Sequence, residues 1–420
     1  MSYFKISTFG CKVNQYETQA MRESLLASGY EEVTDGQKAD LYFVNTCTVT
    51  GKADRECRET LRRFLRENLQ ARVFACGCYT EKDADILRAI DDRIEILSNS
   101  QKQNIINIVR GDGTRDAICH MPYAISHFKG HTKAFIKIQD GCDNFCSYCK
   151  VPFVRGRSRS RDFQEIVEEA KRLIDNGYKE LVLTGICLGN FGKDSGDDIN
   201  LASLVREICN IDGDFRIRLS SIEFEDITDG LIDEISLLNK LCNHLHIPLQ
   251  SGDDHILSKM NRRYKAGDFI KRVNEIRMKI PDIAITTDVI VGFPDESDEN
   301  FNNTLDTFKR LKPSRTHIFT YSPRKGTKAF DMKDSIPRQT KSLRSIQIRE
   351  LADKFAKEFL MGSSSSRHRV LIESSRDKRN GLLTGYTDTY IKVFFDADDN
   401  LMNNFLSDCS ISKDSIVSLS

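Results

Sequence analysis

The chain of 420 residues has no net charge, no long apolar run and no long internal repeat. Its 62 Lys and Arg balance 62 Asp and Glu, so overall charge points to no class of partner. No stretch reaches the roughly 18 to 20 apolar residues of a membrane span, and residues 1–10 lack the apolar core of a signal peptide. With 39% hydrophobic residues, the composition excludes disordered and collagen-like chains. We therefore expect a soluble, cytoplasmic protein of two or three globular domains.

Cysteine is abundant, at 13 residues. A disulfide framework is not expected in a chain without a secretion signal, because reducing compartments keep thiols free. Three cysteines lie close together, Cys142, Cys146 and Cys149, and the others are dispersed except for the pair Cys76 and Cys78. The two kinds of spacing indicate that the thiols serve different sites.

Strand-like and helix-like patterns alternate over residues 1–115. Strands are predicted at 3–8, 41–45 and 72–76, with a fourth beginning at 94, and helices at 15–28 and 52–66. Thr80 followed by Asp83 predicts a capping box at the start of the next helix. The alternation indicates a small parallel α/β domain at the amino terminus.

Three dispersed cysteines follow these strands. Cys11, Cys47 and Cys78 each lie one to three residues past a predicted strand end. Because parallel strands bring their carboxyl ends to one edge of a sheet, the three thiols could share a metal centre. The alternative, that each is an ordinary buried cysteine, stays open on the pattern alone.

Residues 111–130 are predicted to be a linker, and a second alternating run follows over residues 130–360. Six strand-like segments, at 134–138, 180–183, 215–220, 244–247, 284–290 and 315–320, alternate with helical stretches that include 162–176 and 297–311. This predicts an incomplete (β/α)6 barrel, whose active site would lie at the carboxyl ends of the strands. The cysteine triplet, Gly185, Gln250 and Asp288 are all predicted there.

The carboxy-terminal part has a different pattern of predicted elements. A helix is predicted at 338–360, a serine-rich joint at 363–366, and short strands at 370–373, 381–386 and 390–395. Residues 363–420 are therefore predicted to form a small β-barrel, the third domain.

The spacing C-x-x-x-C-x-x-C lets one loop supply three thiolates to a metal site. Three ligands for a four-iron cluster leave one iron open to a substrate. Zinc is the alternative, but a structural zinc site normally closes with a fourth Cys or His. The nearest candidates, His127 and His131, precede the loop by more than ten residues, which favours a cluster.

Extended motifs then resemble a known family. QDGCDNFCSYC followed by VPFVRGRSRSR resembles the radical S-adenosylmethionine (SAM) signature in its methylthiotransferase version. TFGCKVNQYETQ, NTCTVT and ACGCYTE resemble the three cysteine motifs of that family's amino-terminal domain. LTGICLGNFG, RLSSIE, HIPLQSGDD, MNRRY, DVIVGFPDES and HIFTYSPRKGTKA continue the likeness. VLIESS with GYTDTYIKV resembles the terminal RNA-binding TRAM module, so the resemblance covers nearly the whole chain.

The resemblance implies two 4Fe-4S clusters, with SAM as methyl donor and radical source. It assigns Cys142, Cys146 and Cys149 to the radical SAM cluster. It assigns the dispersed cysteines Cys11, Cys47 and Cys78 to an auxiliary cluster that holds sulfur. Residues near the strand ends would contact SAM: Tyr148, Gly185, Gln250 and Asp288.

The implied reaction adds a methylthio group to carbon 2 of an adenine. No side-chain base can remove the hydrogen there, so radical chemistry is required. The stretch GCKVNQYET points to N6-threonylcarbamoyladenosine beside the tRNA anticodon as substrate. Isopentenyladenosine in tRNA and a ribosomal-protein aspartate are alternatives, as is a non-catalytic, metal-stabilised RNA-binding protein. The implied partners are tRNA, a reduced flavodoxin or ferredoxin, and an unidentified sulfur donor.

Two basic clusters are candidates for tRNA phosphate binding. Arg155, Arg157, Arg159 and Arg161 would share one face of an extended segment. Ion pairs or a solvated charge run are the alternative. Residues 363–420 carry 7 basic and 8 acidic residues, so only one edge is expected to bind RNA, with Asp396, Asp398 and Asp399 facing away. That edge comprises Arg367, Arg369, Arg376, Lys378 and Arg379.

Seven further cysteines are expected to be buried packing residues. They are Cys57, Cys76, Cys119, Cys187, Cys209, Cys242 and Cys409.

Overall fold

The computed structural model describes residues 2–34, 36–111, 124–196, 199–334, 336–412 and 417–418. The chain divides into two compact units. The first unit comprises residues 1–129, 140–143 and 149–158, and the second comprises 130–139, 144–148 and 159–420. Most of the predicted linker, and Cys119 with it, lies outside the described residues. Among the described helices, none is long and apolar enough to cross a membrane.

The first unit is built on a parallel sheet. Its strands are β1 (Tyr3–Thr8), β2 (Glu31–Glu32), β3 (Leu41–Thr46), β4 (Arg72–Gly77) and β5 (Ile94–Ile96), in the order β2-β1-β3-β4-β5. Its helices are α1 (Lys12–Ala27), α2 (Gly51–Glu67), α3 (Thr80–Arg88), α4 (Ile105–Arg110) and α5 (Val151–Arg155). The predicted parallel α/β domain is confirmed, and each predicted strand end lies within one residue of the observed one.

Helices cover both faces of this sheet. On one face, Tyr42 and Val44 of β3 pack with Phe64 of α2. On the other, Phe43 packs with Met21 of α1 and with residues of α4. All six residues of β3 are buried, as expected for a central strand of a parallel sheet covered on both faces.

The predicted capping box at Thr80 is wrong. The Thr80 hydroxyl lies 2.7 Å from Gly77 O and 2.9 Å from Leu97 O, so it bonds to the sheet edge instead of capping the helix. The residue before the helix is Tyr79, which makes no side-chain cap bond, and Asp83 has non-helical backbone angles. Tertiary partners have therefore taken over the hydroxyl that the local pattern assigned to a cap.

The second unit contains six parallel strands in chain order. They are β6 (Lys133–Lys137), β9 (Glu180–Thr184), β10 (Arg216–Leu219), β11 (His244–His246), β12 (Ala284–Val291) and β13 (Arg315–Thr320). They form sheets β10-β9-β6 and β11-β12-β13, and single bridges at Ile217 with Leu241 and Ser221 with His246 connect the two. The predicted incomplete barrel is confirmed. The short strands β7 (Gln139–Asp140) and β8 (Arg159–Ser160) follow β6 in the chain.

Helices alternate with the barrel strands. They are α6 (Phe163–Asp175), α7 (Leu201–Cys209), α8 (Asp229–Leu237), α9 (Asp254–Lys259), α10 (Ala266–Lys279), α11 (Asp298–Leu311) and α12 (Arg338–Ser363). Asp162 caps α6 by accepting the Glu165 N–H, and Ser297 caps α11 through a reciprocal capping box with Asn300.

The strands after helix α12 form an antiparallel sheet. Its strands are β14 (Arg367–Arg376), β15 (Leu383–Thr387), β16 (Lys392–Phe395), β17 (Phe405–Ile411) and β18 (Val417–Ser418), in the order β16-β15-β14-β17-β18. Its core includes Val370, Leu383 and Phe395. Helix α12 continues to Ser363, so the predicted serine joint begins inside the helix. The sheet clusters with the barrel in one unit, and the three-domain division stays a prediction.

A buried ionic network joins this sheet to the amino-terminal ends of the barrel strands. Glu180, whose side chain is 0% exposed, accepts from Arg216 Nε at 2.6 Å and from Arg218 Nε at 3.0 Å. The same arginines donate to backbone carbonyls of the sheet, Arg216 to Tyr386 O and Arg218 to Thr387 O. The sheet therefore covers the barrel end opposite the one where active sites of such barrels form.

Candidate functional site

The three dispersed cysteines follow three neighbouring strands. Cys11 lies three residues past β1 and is the N-cap residue of helix α1, while Cys47 and Cys78 directly follow β3 and β4. Since β1, β3 and β4 are adjacent and parallel, all three residues lie at one edge of the sheet. Their predicted positions at strand ends are confirmed.

The chain segments that carry the three cysteines pack closely against one another. Gly10 has φ +97°, and a Cβ placed on it would lie 2.7 Å from both Cβ and Sγ of Cys47. The Cys78 N–H donates to Thr46 O at 3.1 Å, and the Val49 N–H donates to Cys47 Sγ at 3.5 Å. Only glycine fits at position 10, because any larger residue would displace the Cys47 sulfur.

The thiols affect one another electrostatically. Burial, opposed by the hydrogen bond from the Val49 N–H and assisted by the nearby Cys78 and Cys11, raises the pKa of Cys47 to about 11. Burial also raises the pKa of Cys78, against the opposing charge of Arg155. Because the thiolate is the metal ligand, a bound cation would stabilise the deprotonated forms. Three sulfur donors at one sheet edge, two buried and one exposed, fit a metal cluster with one accessible side.

Arg155 lies buried beside this cysteine edge, in the same unit. Its Nε–H donates to Cys78 Sγ at 3.3 Å, and its Nη1 donates to Glu17 Oε1 at 2.7 Å. Nη2 donates to Asn14 Oδ1 and Glu17 Oε2, and Asp140 lies 3.2 Å from Nη1. The side chain is 0% exposed, so the prediction that Arg155 meets tRNA phosphates is wrong.

The basic segment is not extended throughout. Val151–Arg155 is the short helix α5, with proline near its start and Gly156, at φ +74°, at its end. Those two residues were a local signal for a helix ending at Arg155. Arg161 is also largely buried and pairs with Glu169 at 2.7 Å, whereas Arg157 is 78% exposed and Arg159 is exposed. The predicted shared face of four arginines is therefore wrong.

The cysteine triplet lies on the loop between β7 and α5, and all three residues are partly exposed. In the first unit, the Cys142 N–H donates to Gly156 O at 3.1 Å, and the Val151 N–H donates to Cys149 Sγ at 3.4 Å. In the second unit, the Ser147 N–H donates to Met260 O at 3.0 Å, while Ser147 O accepts from the Ala329 N–H at 2.7 Å. The loop is fixed by backbone bonds on both sides of Cys146.

A second buried arginine points at a sulfur of this loop. Arg262 Nη1 lies 3.5 Å from Cys146 Sγ, Nε donates to Tyr264 Oη at 3.2 Å, and Nη2 donates to Glu223 and to Pro248 O. The sequence motif MNRRY contained this residue, but no local pattern distinguishes buried Arg262 from its exposed neighbour Arg263.

Three predicted SAM-contact residues lie past strand ends or on the cysteine loop. Gly185 directly follows β9, and a Cβ there would lie 3.0 Å from Gln139 Oε1. Gln250 follows β11, has φ +62° and exchanges backbone bonds of 2.8 Å with Asp288 and Ile290. Tyr148 packs edge-on against Phe293 with a centroid distance of 6.5 Å.

Asp288 lies in the middle of β12, so its predicted position at a strand end is wrong. Its carboxylate is 3.2 Å from His246 Nε2 and 3.0 Å from His317 Nδ1. Burial opposes ionisation of Asp288, but the hydrogen bonds from both imidazoles outweigh it and hold its pKa at about 2. Sequence reasoning missed both histidines, because they come from different strands.

The basic residues of the antiparallel sheet differ in how far they contact other protein residues. Arg369 pairs with Asp214 and stacks on Phe405, and Arg367 donates to Asp408 O. Arg376 Nε donates to Asp399 at 2.8 Å, so the prediction that this aspartate faces away from the basic edge is wrong. The adjacent Lys378 and Arg379 are exposed in the turn between β14 and β15.

The dispersed cysteines outside the two sets are buried wherever the structure describes them. This confirms the prediction for the six described members: Cys57, Cys76, Cys187, Cys209, Cys242 and Cys409. Burial raises the pKa of the Cys76 thiol to about 11, which suits an inert packing residue.

Comparisons with known proteins agree with this architecture. Residues 136–308 match the radical SAM superfamily, and residues 3–98 match an uncharacterized protein family, UPF0004. A radical SAM methyltransferase, TsrM from Kitasatospora setae, shares the fold with a TM-score of 0.58 at 16% identity, over 79% of this chain and 77% of that chain.

Curated relatives are similar over nearly the whole length. The threonylcarbamoyladenosine tRNA methylthiotransferase MtaB of Bacillus subtilis is 36% identical over 97% of this chain and 93% of its own. The one of Chlamydia pneumoniae is 38% identical over 93% of this chain and 91% of its own. A tRNA-2-methylthio-N(6)-dimethylallyladenosine synthase of Clostridium tetani is 34% identical over 93% and 90%. The chain therefore belongs to the radical SAM methylthiotransferase family, whose cofactors are SAM and 4Fe-4S clusters.

Proposed function

We propose that this protein adds a methylthio group to carbon 2 of N6-threonylcarbamoyladenosine in tRNA. The observation that carries the reaction is the presence of two separate cysteine triplets, one at a parallel-sheet edge and one on the loop between β7 and α5. The choice of substrate is supported by full-length relatives named for threonylcarbamoyladenosine at 36 to 38% identity, against 34% for one named for dimethylallyladenosine.

The two triplets are proposed as the ligands of two 4Fe-4S clusters. Cys142, Cys146 and Cys149 would hold the radical SAM cluster, and the sheet-edge cysteines Cys11, Cys47 and Cys78 would hold the auxiliary one. When bound, the first supplies the electron that cleaves SAM and the second holds the sulfur that is transferred. Each triplet leaves one coordination position for a non-protein ligand, since each offers three thiolates to four irons.

Residues of the barrel are proposed to hold SAM. Gly185 directly follows β9 and packs closely on Gln139, since a Cβ there would lie 3.0 Å from Gln139 Oε1, and Gln250 turns the chain four residues past the end of β11. Tyr148, on the cysteine loop, packs edge-on against Phe293. Asp288 is kept ionised and oriented by His246 and His317, so it can accept a hydrogen bond from a ligand hydroxyl or amine.

The reaction also needs a tRNA surface, a reductant and a compartment that holds both. We propose reduced flavodoxin or ferredoxin as electron donor and the cytoplasm as location. Exposed cations are the proposed phosphate contacts, with Arg157 and Arg159 in one segment and the antiparallel sheet's basic edge in another. On that edge, Arg367, Arg369 and Arg376 already have protein partners, so Lys378 and Arg379 are the foremost candidates.

Replacing Lys378 and Arg379 together by alanine is expected to weaken tRNA binding. Each lost phosphate contact should lower the slope of log K against log salt by about one, because fewer counterions are released. Filter binding at several salt concentrations measures this slope. The matched control, Lys171→Ala with Lys271→Ala, removes two charges from exposed barrel helices; an equal effect there would contradict a specific edge.

Nucleoside analysis of tRNA tests the function as a whole. In a host lacking this modification, expression of the gene is expected to produce 2-methylthio-N6-threonylcarbamoyladenosine, detected by liquid chromatography with mass spectrometry. Methylthiolated isopentenyladenosine instead would show that the substrate is isopentenyladenosine in tRNA. No new nucleoside, from protein with both clusters intact, would favour a non-catalytic RNA-binding protein or a protein substrate.

A further inference from the structure

In the part of the chain that the structure describes, each cysteine triplet has a buried arginine whose N–H points at one of its sulfurs. In the first unit, Arg155 Nε lies 3.3 Å from Cys78 Sγ. In the second unit, Arg262 Nη1 lies 3.5 Å from Cys146 Sγ. These are hydrogen-bonding distances for sulfur acceptors, and neither arginine is accessible to a nucleic acid.

Arg155 is held so that its Nε–H can point only at Cys78. Both terminal nitrogens donate to Glu17, Asn14 or Asp140. The guanidinium therefore cannot rotate without breaking several buried hydrogen bonds. Lys102 also pairs with Glu17, at 2.6 Å, and both side chains are almost fully buried. Two cations therefore face two carboxylates, and the local charge of this group is balanced before the sulfur is counted.

Arg262 is held by a similar arrangement. Glu223 and Pro248 O bind one terminal nitrogen, the Tyr264 hydroxyl binds Nε, and the guanidinium lies 5.1 Å from the Tyr264 ring centroid. The remaining nitrogen, Nη1, is the one that faces Cys146. The two arginines come from unrelated elements, yet each places a fixed donor beside a proposed ligand sulfur.

A hydrogen bond to a ligand sulfur changes the reduction potential of a cluster. Reduction adds negative charge that is spread over the sulfurs, so a donor stabilises the reduced form more than the oxidised form. A fixed donor inside a buried network does this without reorganisation, because its orientation is set before the electron arrives.

We propose that Arg155 and Arg262 are positioning residues that each donate a hydrogen bond to one cluster sulfur and thereby make that cluster easier to reduce. The inference rests on the proposed ligand roles of Cys78 and Cys146. Because the charge beside Cys78 is already balanced, the effect there comes from the directed N–H, and a lysine at position 155 should not restore it.

Pulsed electron paramagnetic resonance on protein that keeps both arginines tests the contact directly. The protein is labelled with 15N-arginine and reconstituted anaerobically with iron and sulfide, in full-length forms that keep only one cysteine triplet. A 15N coupling to the reduced cluster is expected in each form. It should disappear in Arg155→Met for the auxiliary cluster and in Arg262→Met for the radical SAM cluster.

Potentiometric titration, monitored by electron paramagnetic resonance, measures the reduction potential of each cluster in the two variants. At a fixed potential, the ratio of reduced to oxidised cluster is expected to fall about tenfold in each variant, which is about 59 mV for one electron. Exposed arginines of the same units are the matched controls: Arg62→Met on α2 for Arg155, and Arg263→Met beside Arg262, should leave the potentials unchanged.

The outcomes separate this inference from the function on which it rests. Intact clusters with no 15N coupling, or with unchanged potentials in Arg155→Met and Arg262→Met, would overturn the inference and leave the ligand assignment standing. A chain that keeps only Cys11, Cys47 and Cys78 and assembles no cluster would overturn the ligand assignment together with the inference. The 15N coupling is read on unmutated arginines, so it decides the case even if a methionine variant does not fold.

Discussion

Cys146→Ala is expected to abolish both SAM cleavage and methylthiolation, whereas Cys78→Ala is expected to keep cleavage and lose methylthiolation. The two residues belong to different proposed clusters: Cys146 lies on the loop between β7 and α5, and Cys78 directly follows β4. Without a third ligand on the loop, the cluster that delivers the electron to SAM is not held. Without Cys78, the electron can still be delivered, but the sulfur is not held for transfer.

Two products distinguish these roles in anaerobically reconstituted protein. 5′-Deoxyadenosine reports SAM cleavage, and the methylthiolated nucleoside reports the complete reaction. In Cys146→Ala both should fall to the level of protein without iron. Full methylthiolation by Cys78→Ala would remove that residue from the site.

Cys76→Ala is the matched control for Cys78→Ala. Cys76 lies two residues earlier, on β4, and is buried in the core of the sheet. Its loss should lower stability slightly through a small cavity and leave both products in place. Thermal unfolding of all three variants identifies any loss of activity that comes from unfolding.

Glu180→Gln is expected to destabilise the second unit by about 3–5 kcal/mol. Glu180 is fully buried at the amino end of β9 and neutralises Arg216 and Arg218, with Lys133 at 3.8 Å. Glutamine keeps the shape but removes the charge, which leaves buried cations without their compensating carboxylate. Chemical denaturation at neutral pH measures the free energy of unfolding, and Glu168→Gln on the exposed face of α6 should change it by no more than about 0.5 kcal/mol.

The same network predicts a pH dependence. Burial alone would raise the pKa of Glu180, but Arg216, Arg218 and Lys133 outweigh it and hold the pKa well below its usual value of 4.5. A lowered folded-state pKa means that the stabilisation is complete above the unfolded-state value and is lost as the pH falls through the folded-state value. The difference between wild type and Glu180→Gln should therefore shrink only at acid pH; a constant difference across that range would contradict the ionised network.

Local sequence patterns predicted the elements well, because alternation of apolar residues and helix capping depend on near neighbours. The main parallel strands of both units, the helices at 162–176 and 297–311, and the strand-end positions of the dispersed cysteines all agree with the structure. Predictions that needed distant partners were less reliable. Thr80 was assigned to a cap, and Asp399 was expected to face away from Arg376, because their actual partners come from other segments.

The arginine segment shows the physical reason most clearly. Four arginines at alternate positions look equivalent in sequence, yet Arg155 and Arg161 are withdrawn from solvent while Arg157 and Arg159 are exposed. Glu17 and Asn14, which fix Arg155, lie 138 and 141 residues away in sequence. Burial of a cation depends on whether carboxylates from elsewhere in the chain surround it, and no local pattern contains that information.

The sequence by itself determined the fold class, the two cysteine triplets and the family, since these depend on local periodicity, ligand spacing and extended motifs. Only the tertiary structure decided which cations are exposed and which contact a cysteine sulfur. It also brought His246 and His317 from separate strands onto Asp288 and seated the antiparallel sheet on Arg216 and Arg218. These contacts join residues far apart in the chain, and their energies come from burial and charge compensation, which the folded arrangement alone establishes.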